Sequence, residues 1–291
     1  MSKIYIYPKI NHSGFPAYTN FRSISFFLAL LILWGLLACA AVGCGRDKAA
    51  QNLCVAGSTS VQPFAEKLAE EYMRQHPQAR IDVQGGGSSA GIYAAQQGAA
   101  DLGASSRELV KKEKDLQEFP IAYDGIAIIV NKQNPLANLS LGQIRQIFQG
   151  RITDWQAFNL KPHPIDIITR EEGSGTRNAF EELVMGKQTE ITPEALVQDS
   201  NGSVREIVAN DPYAIGYISM GLVDRRVKAL SVDGVAPTRD NVKNHTYKLV
   251  RRFLLVARDL KPGLCTSFLN YILSPEGQSL LETEGLVGVG D

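Results

Sequence analysis

From Leu53 onward the chain alternates short apolar runs with stretches in which apolar residues recur every three or four positions. The first pattern predicts strands and the second amphipathic helices. A strand is expected over Leu53–Ala56. A helix over Val61–Gln75 follows, with Val61, Phe64, Ala65, Leu68, Tyr72 and Met73 on its apolar face. Strands at Arg80–Val83 and Asp101–Ala104 flank a helix at Ala90–Gln97, and a longer apolar strand covers Ile121–Val130. A second series repeats the alternation. It has helices at Leu141–Gln149, Arg177–Met185 and Ser203–Ala209, strands at Ile165–Thr169 and Ala214–Ser219, and a weaker strand pattern at Val227–Ser231. A long strand over Tyr247–Ala257 and helices over Leu264–Leu273 and Glu276–Glu282 complete it. Such alternation predicts an α/β fold of mostly parallel sheets flanked by helices.

The first residues follow a different pattern. Met1–Arg22 carries Lys3, Lys9 and Arg22 and no acid, and Ser23–Gly43 is uncharged and rich in Phe, Leu and Ile. A basic stretch, an apolar stretch and small residues in that order read as an export signal. An anchor helix kept in the membrane is the alternative. Ala41-Val42-Gly43-Cys44 has the form of a lipoprotein signal, so residues 1–43 are expected to be removed and Cys44 lipidated; Cys39 is the second candidate. Residues 44–52 would form a polar tether. The roughly 250 residues that remain exceed the usual single-domain size, so two lobes are expected.

Composition changes the picture in two ways. Lys+Arg and Asp+Glu are each 30, so net charge is zero. No basic excess points to nucleic acid, and an anion would have to be held by a few placed groups. Beyond the signal two cysteines remain, Cys54 and Cys265, which could pair in an oxidising compartment or stay as buried thiols. There is no CxxC and the four His are scattered, so neither metal nor cofactor is expected.

Three segments share one design: a strand, a tight Ser/Thr/Gly turn, then a helix start. They are Gly57-Ser58-Thr59-Ser60, Gly87-Ser88-Ser89 and Gly173-Ser174-Gly175-Thr176. Helix N-termini present free N–H groups and partial positive charge, which suits an anion. Any one of them alone reads more readily as a helix cap, and it is the three together, with an Arg close by, that point to an oxyanion site. Arg170, at the end of a strand, adds a guanidinium able to hold a tetrahedral oxyanion bidentately, and Glu171 or Glu172 could orient it. Gly85, Gly87 and Ala90 give a weak dinucleotide-type fingerprint on the second strand. No phosphate loop of the GxxxxGK[ST] kind and no G-x-S-x-G elbow is present.

Several of these segments together resemble the substrate-binding protein of phosphate ABC transporters. They are Ala56-Gly57-Ser58-Thr59-Ser60, Gly85 to Gly91, Ala100 to Ser106, Leu141 to Trp155, Arg170 to Thr176, Ala214 to Tyr217 and Leu273 to Gly277. The resemblance implies a two-lobed periplasmic-binding-protein fold of type II with two hinge strands, around Ile129 and Val250. Lobe one would be 52–130 plus 248–291, and lobe two 131–247. It implies phosphate contacts from Thr59, Ser60, Ser88, Ser106, Arg170, Ser174, Gly175 and Thr176, with Glu172 pairing to Arg170.

One departure stands out. Well-known members of the family carry Asp where this chain has Ser106, and that Asp accepts the proton of bound phosphate. Ser accepts more weakly and does not repel sulfate. Asp124 is a candidate for the missing acceptor, and equally a turn residue before Gly125. The function implied is extracytoplasmic capture of inorganic phosphate and delivery to the permease subunits of an ABC importer. The protein would be a lipid-anchored monomer without catalysis. Another oxyanion such as sulfate or molybdate is the alternative, and a secreted phosphatase or a sensor module are more distant ones.

Overall fold

The computed structural model describes residues 51–290 except Lys187. The export segment, Cys44, Cys39 and the tether up to residue 50 lie outside the described residues. The strands are β1 (Gln51–Gly57), β2 (Ala79–Gly85), β3 (Leu102–Ser105), β4 (Gln117–Asn131), β5 (Asn138–Leu139), β6 (Asp166–Arg170), β7 (Leu196–Gln198), β8 (Ala214–Ser219), β9 (Val227–Ala229), β10 (Ser231–Val232) and β11 (Val250–Ala257). The main sheet runs β2-β1-β3-β11-β4-β8-β6-β7, with β9 also on β4; β5 and β10 pair separately.

Strand β4 organises the molecule. Its first part, Gln117–Gly125, pairs antiparallel with β11. From Ile126 onward it pairs with β8 and β9 instead. The side chains change core at the same point. Ile121 and Ala122 join Leu53, Leu68, Phe253 and Phe268, whereas Ile126, Ile128 and Val130 join Phe148, Trp155, Phe180 and Tyr217. On the return passage Tyr247 and Leu249 belong to the second core and Phe253 to the first. The chain therefore changes core between Ala122 and Ile126 and again between Val250 and Phe253. These points differ from the boundaries after Val130 and before Lys248 implied by the resemblance. The apolar run Ile121–Val130 is continuous, so hydropathy alone gives no mark of where its burial partner changes.

The main sheet is mixed as a whole, parallel within each half and antiparallel at the crossing strands. Strand β1 is parallel to β2 and β3, and β6 to β7 and β8. The crossing strands β4 and β11 are antiparallel to their neighbours. Helical crossovers impose parallel pairing only within each half, while the passages between halves run in opposite directions. The expected helices are present at Gln62–Gln75, Ser88–Gln97, Leu141–Phe148, Asn201–Asn210, Leu264–Ile272 and Pro275–Thr283. The helix expected over Arg177–Met185 begins earlier, at Gly175, and widens into a π turn over Glu181–Met185. Residues Tyr247 to Leu249 carry no strand pairing of their own.

Cys54 and Cys265 are free thiols. Leu53 and Val55 face the first core, as does Cys265. The two-residue period of a strand turns Cys54 to the opposite face, so the pair cannot meet across β1.

Close packing at the strand ends positions the turns. A Cβ on Gly91 would lie 2.3 Å from the Ala56 carbonyl oxygen and 2.4 Å from Gly57 Cα. A Cβ on Gly103 would lie 2.5 Å from the Gly91 oxygen. Helix Ser88–Gln97 thus rests directly on β1 and β3. Gly91→Ala is expected to destabilise the fold by about 1–3 kcal/mol, the usual cost of overpacking. Urea unfolding should show a lower midpoint at unchanged slope; an unaltered midpoint would contradict this contact.

Candidate functional site

The turns after β1 and β2 and the chain after β3 and β6 meet at the carboxyl ends of their strands, where open α/β sheets take ligands. After β1, the Ser58 carbonyl accepts from the N–H groups of Val61 and Gln62 (3.0 and 2.9 Å). No side chain caps helix Gln62–Gln75, so the expected cap by Ser58-Thr59-Ser60 is not formed. Backbone geometry replaces it and releases the hydroxyls. Ser58 Oγ donates to Ser106 Oγ at 2.8 Å. Ser60 Oγ lies 2.7 Å from Thr176 Oγ1. Helix Ser88–Gln97 likewise starts without a side-chain cap, after Gly87 at φ 89°. The Ser88 hydroxyl accepts from the Ser106 N–H at 3.0 Å and lies 3.3 Å from Ser106 Oγ.

The segment after β6 closes against these turns. The Gly173 carbonyl accepts from the Ser89 N–H at 3.1 Å. A Cβ on Gly175 would lie 2.2 Å from Ser88 Oγ and 2.6 Å from Ser106 Oγ. Any side chain at 175 would push the halves apart. Ser174 is a helix cap, accepting from the Arg177 N–H at 3.2 Å. Thr59, Ser60, Ser88, Ser106, Arg170, Gly175 and Thr176 therefore converge, and Ser174 stands beside them in a capping role.

Arg170 is 1% exposed at the end of β6. Its Nε and Nη2 donate to the two carboxylate oxygens of Glu171, each at 3.0 Å. Nη2 also donates to Thr59 Oγ1 (3.2 Å) and to the Asp199 carbonyl (3.0 Å), and Nε to the Gln198 carbonyl (3.2 Å). Nη1 is buried and has no hydrogen-bond partner among the described residues. The orienting acid is thus Glu171 and not Glu172. Beyond β6 the chain turns so that Glu171 folds back along the guanidinium, while Glu172 lines a surface groove beside Tyr93 and Asn178. Arg107 adds no free positive charge, because Glu113 pairs with it at 2.8 Å. Below the site, Thr169 and the Tyr217 hydroxyl are 2.7 Å apart, and burial pushes the Tyr217 phenol up to about 12.

Two further residues carry the site and were not legible as site residues in the sequence. Arg251, on β11, is directly opposite Asp124 on β4. Its Nε and Nη2 donate to Asp124 Oδ2 (3.0 and 2.8 Å), and Nη2 reaches Ser60 Oγ at 3.1 Å. Asp124 is fully buried within a strand, not in a turn, and its other oxygen accepts from Ser219 Oγ at 2.8 Å. Burial pushes its carboxyl up, against the opposing pull of Arg251 and Ser219. Asn201, at the start of helix Asn201–Asn210, donates from Nδ2 to Ser60 Oγ (2.9 Å) and Thr59 Oγ1 (3.2 Å). A charged residue inside an apolar strand is a signal for Arg251. Asn201 reads as an ordinary residue following the Ser200 cap.

The arrangement offers hydroxyls and one free guanidinium nitrogen around charges that already cancel in pairs. Such a site suits a small oxyanion. The chain matches the model of the PBP superfamily domain over residues 44–276. It is 32% identical over 253 residues to the phosphate-binding protein PstS of Bacillus subtilis, covering 85% of this chain and 84% of that one. It belongs to this family of phosphate-binding proteins. Among solved structures, it is similar to one described as a phosphate ABC transporter substrate-binding protein from Clostridium perfringens, with bound phosphate. That match has 42% identity, TM-score 0.80, and covers 82% of this chain and 100% of the other. An ABC-type phosphate transport receptor from Vibrio cholerae matches with 38% identity and TM-score 0.68, over 81% and 99% of the two chains. The type II periplasmic-binding-protein fold expected from the resemblance is therefore the fold of this chain.

Removing one partner of a buried ion pair leaves an uncompensated charge, which costs about 3–5 kcal/mol. Asp124→Ala should lower the unfolding free energy by that amount in a denaturant titration, more than any exposed carboxylate would. A loss under about 1 kcal/mol, the range of a surface pair, would contradict the burial of Arg251–Asp124.

Proposed function

We propose that this chain captures inorganic phosphate on the extracytoplasmic side of the membrane and delivers it to the permease subunits of an ABC importer. Arg170 Nη1 carries the reading. It is a buried charged donor without a partner among the described residues, set among hydroxyls from both halves of the molecule. A buried donor left unsatisfied costs about 1–3 kcal/mol or more, and a phosphate oxygen satisfies it. The name of the Bacillus subtilis relative and the phosphate bound in the Clostridium perfringens structure support the same ligand.

Binding, not catalysis, fits the hydroxyls. They bond to one another, to amides and to guanidiniums. An activated nucleophile needs a base within reach, and none of these bonds goes to a histidine or a carboxylate. Capture proceeds by closure of the two halves about the passages between Ala122 and Ile126 and between Val250 and Phe253, a hinge motion of the kind that periplasmic binding proteins use. The mature protein acts as a monomer tethered by lipid at Cys44, or at Cys39. A second oxyanion reading, sulfate, is favoured by one observation. The residue bonded to Ser58 and Ser88 is Ser106, a hydroxyl in place of a fixed anionic acceptor.

Calorimetric titration tests the reading. The protein should bind phosphate at micromolar affinity or tighter, about 8 kcal/mol. Arg170→Ala should weaken binding by at least ~100-fold, within the 2–5 kcal/mol range for a buried charge partner, and still unfold cooperatively. A folded variant that binds phosphate as the parent does would remove Arg170 from the site.

A further inference from the structure

A closed ring of hydrogen bonds runs behind the site. Ser219 donates its N–H to Asn201 Oδ1 (3.1 Å) and its hydroxyl to Asp124 Oδ1 (2.8 Å). Asp124 accepts from Arg251, whose Nη2 donates to Ser60 Oγ. Asn201 Nδ2 donates to the same Ser60 oxygen and closes the ring. Amide and hydroxyl orientations are often ambiguous, but here they follow by elimination. A backbone N–H can only donate, so Asn201 turns its oxygen to Ser219 and its nitrogen to the hydroxyls.

A hydroxyl has two lone pairs and one proton. Both lone pairs of Ser60 are filled, by Asn201 and Arg251, so its proton goes to Thr176 Oγ1, 2.7 Å away. Both lone pairs of Thr59 are filled, by Asn201 and Arg170, so Thr59 has only a proton to offer. Ser106 differs. Its oxygen accepts from Ser58 and touches Ser88 at 3.3 Å, which leaves capacity to accept a proton or to turn and donate one.

We propose that Asn201 and Arg251 are positioning residues that set anion specificity: Asn201, with Arg170 on Thr59 and Arg251 on Ser60, fills the lone pairs of both hydroxyls, so that Thr59 can only donate to an anion and Ser60 is committed to Thr176, which leaves Ser88–Ser106 as the side that accepts an oxyanion's proton. This rests on the phosphate reading above. Hydrogen phosphate, with one proton, is matched throughout. Dihydrogen phosphate leaves a second proton without an acceptor. Sulfate is admitted, because Ser106 can rotate to donate.

Reversing the polarity tests the assignment. Asn201→Asp preserves shape but cannot donate, so the Thr59 and Ser60 protons turn to the new carboxylate and their lone pairs face the anion. Phosphate can bring a proton to them; sulfate cannot. The added charge also repels the sulfate dianion more than monoanionic phosphate, so the uncharged Asn201→Ala variant separates polarity from repulsion. The purified protein and variant are titrated with inorganic phosphate and with sulfate at fixed ionic strength and neutral pH, with unfolding midpoints recorded. The phosphate-to-sulfate ratio should rise about tenfold, the worth of one mismatched hydrogen bond, and the phosphate optimum should move to lower pH. Asn201→Ala frees the hydroxyls to turn either way. It should raise the ratio about threefold, and it carries the test if the first variant does not fold. An unchanged or lower ratio in a folded variant overturns the assignment and leaves the phosphate reading intact. A parent protein that binds neither anion overturns that reading and the assignment with it.

Discussion

The Arg251–Asp124 ion pair is the constraint on which the rest of the structure turns. It joins two antiparallel strands within the short stretch where each exchanges one hydrophobic core for the other. From there Arg251 reaches Ser60 in the first half, and Asp124 is held by Ser219 from the second. A buried pair contributes little net stability against an apolar replacement. What it supplies here is direction. Arginine only donates and an ionised carboxylate only accepts, so every uncharged group bonded to them has its own proton placed.

The same logic explains a neutral site for an anion. Arg170 is matched by Glu171 and Arg251 by Asp124. With formal net charge zero for the whole chain, long-range steering adds little. Affinity must come from short donors around one guanidinium nitrogen, in surroundings that exclude water and so strengthen each bond. Gly175, Gly91 and Gly57 serve this end, because side chains there would hold the turns apart.

Much of this was legible in the sequence. Periodicity located most of the helices and strands, since burial of one face leaves a repeat of 2 or about 3.6 residues. The three Ser/Thr/Gly turns and Arg170 marked an oxyanion site, and the resemblance supplied their convergence. What escaped was set by long-range geometry. The exchange of cores between Ala122 and Ile126 lies inside one apolar run. The choice of Glu171 over Glu172 depends on how the chain turns after β6. The hydroxyls after β1 read as helix caps and instead face the site. Asn201 acquires its role only because Ser219 and Ser60 are brought to either end of its amide. The short strands β5, β7 and β10 are too brief to leave a period.

A crystal structure of the protein grown with phosphate at neutral pH tests the central claim most directly. The account places an anion oxygen within about 3 Å of Arg170 Nη1, with others against Thr59 and the Ser88–Ser106 pair. Phosphate seated elsewhere, or Arg170 Nη1 bonded to a protein group in the complex, would contradict it.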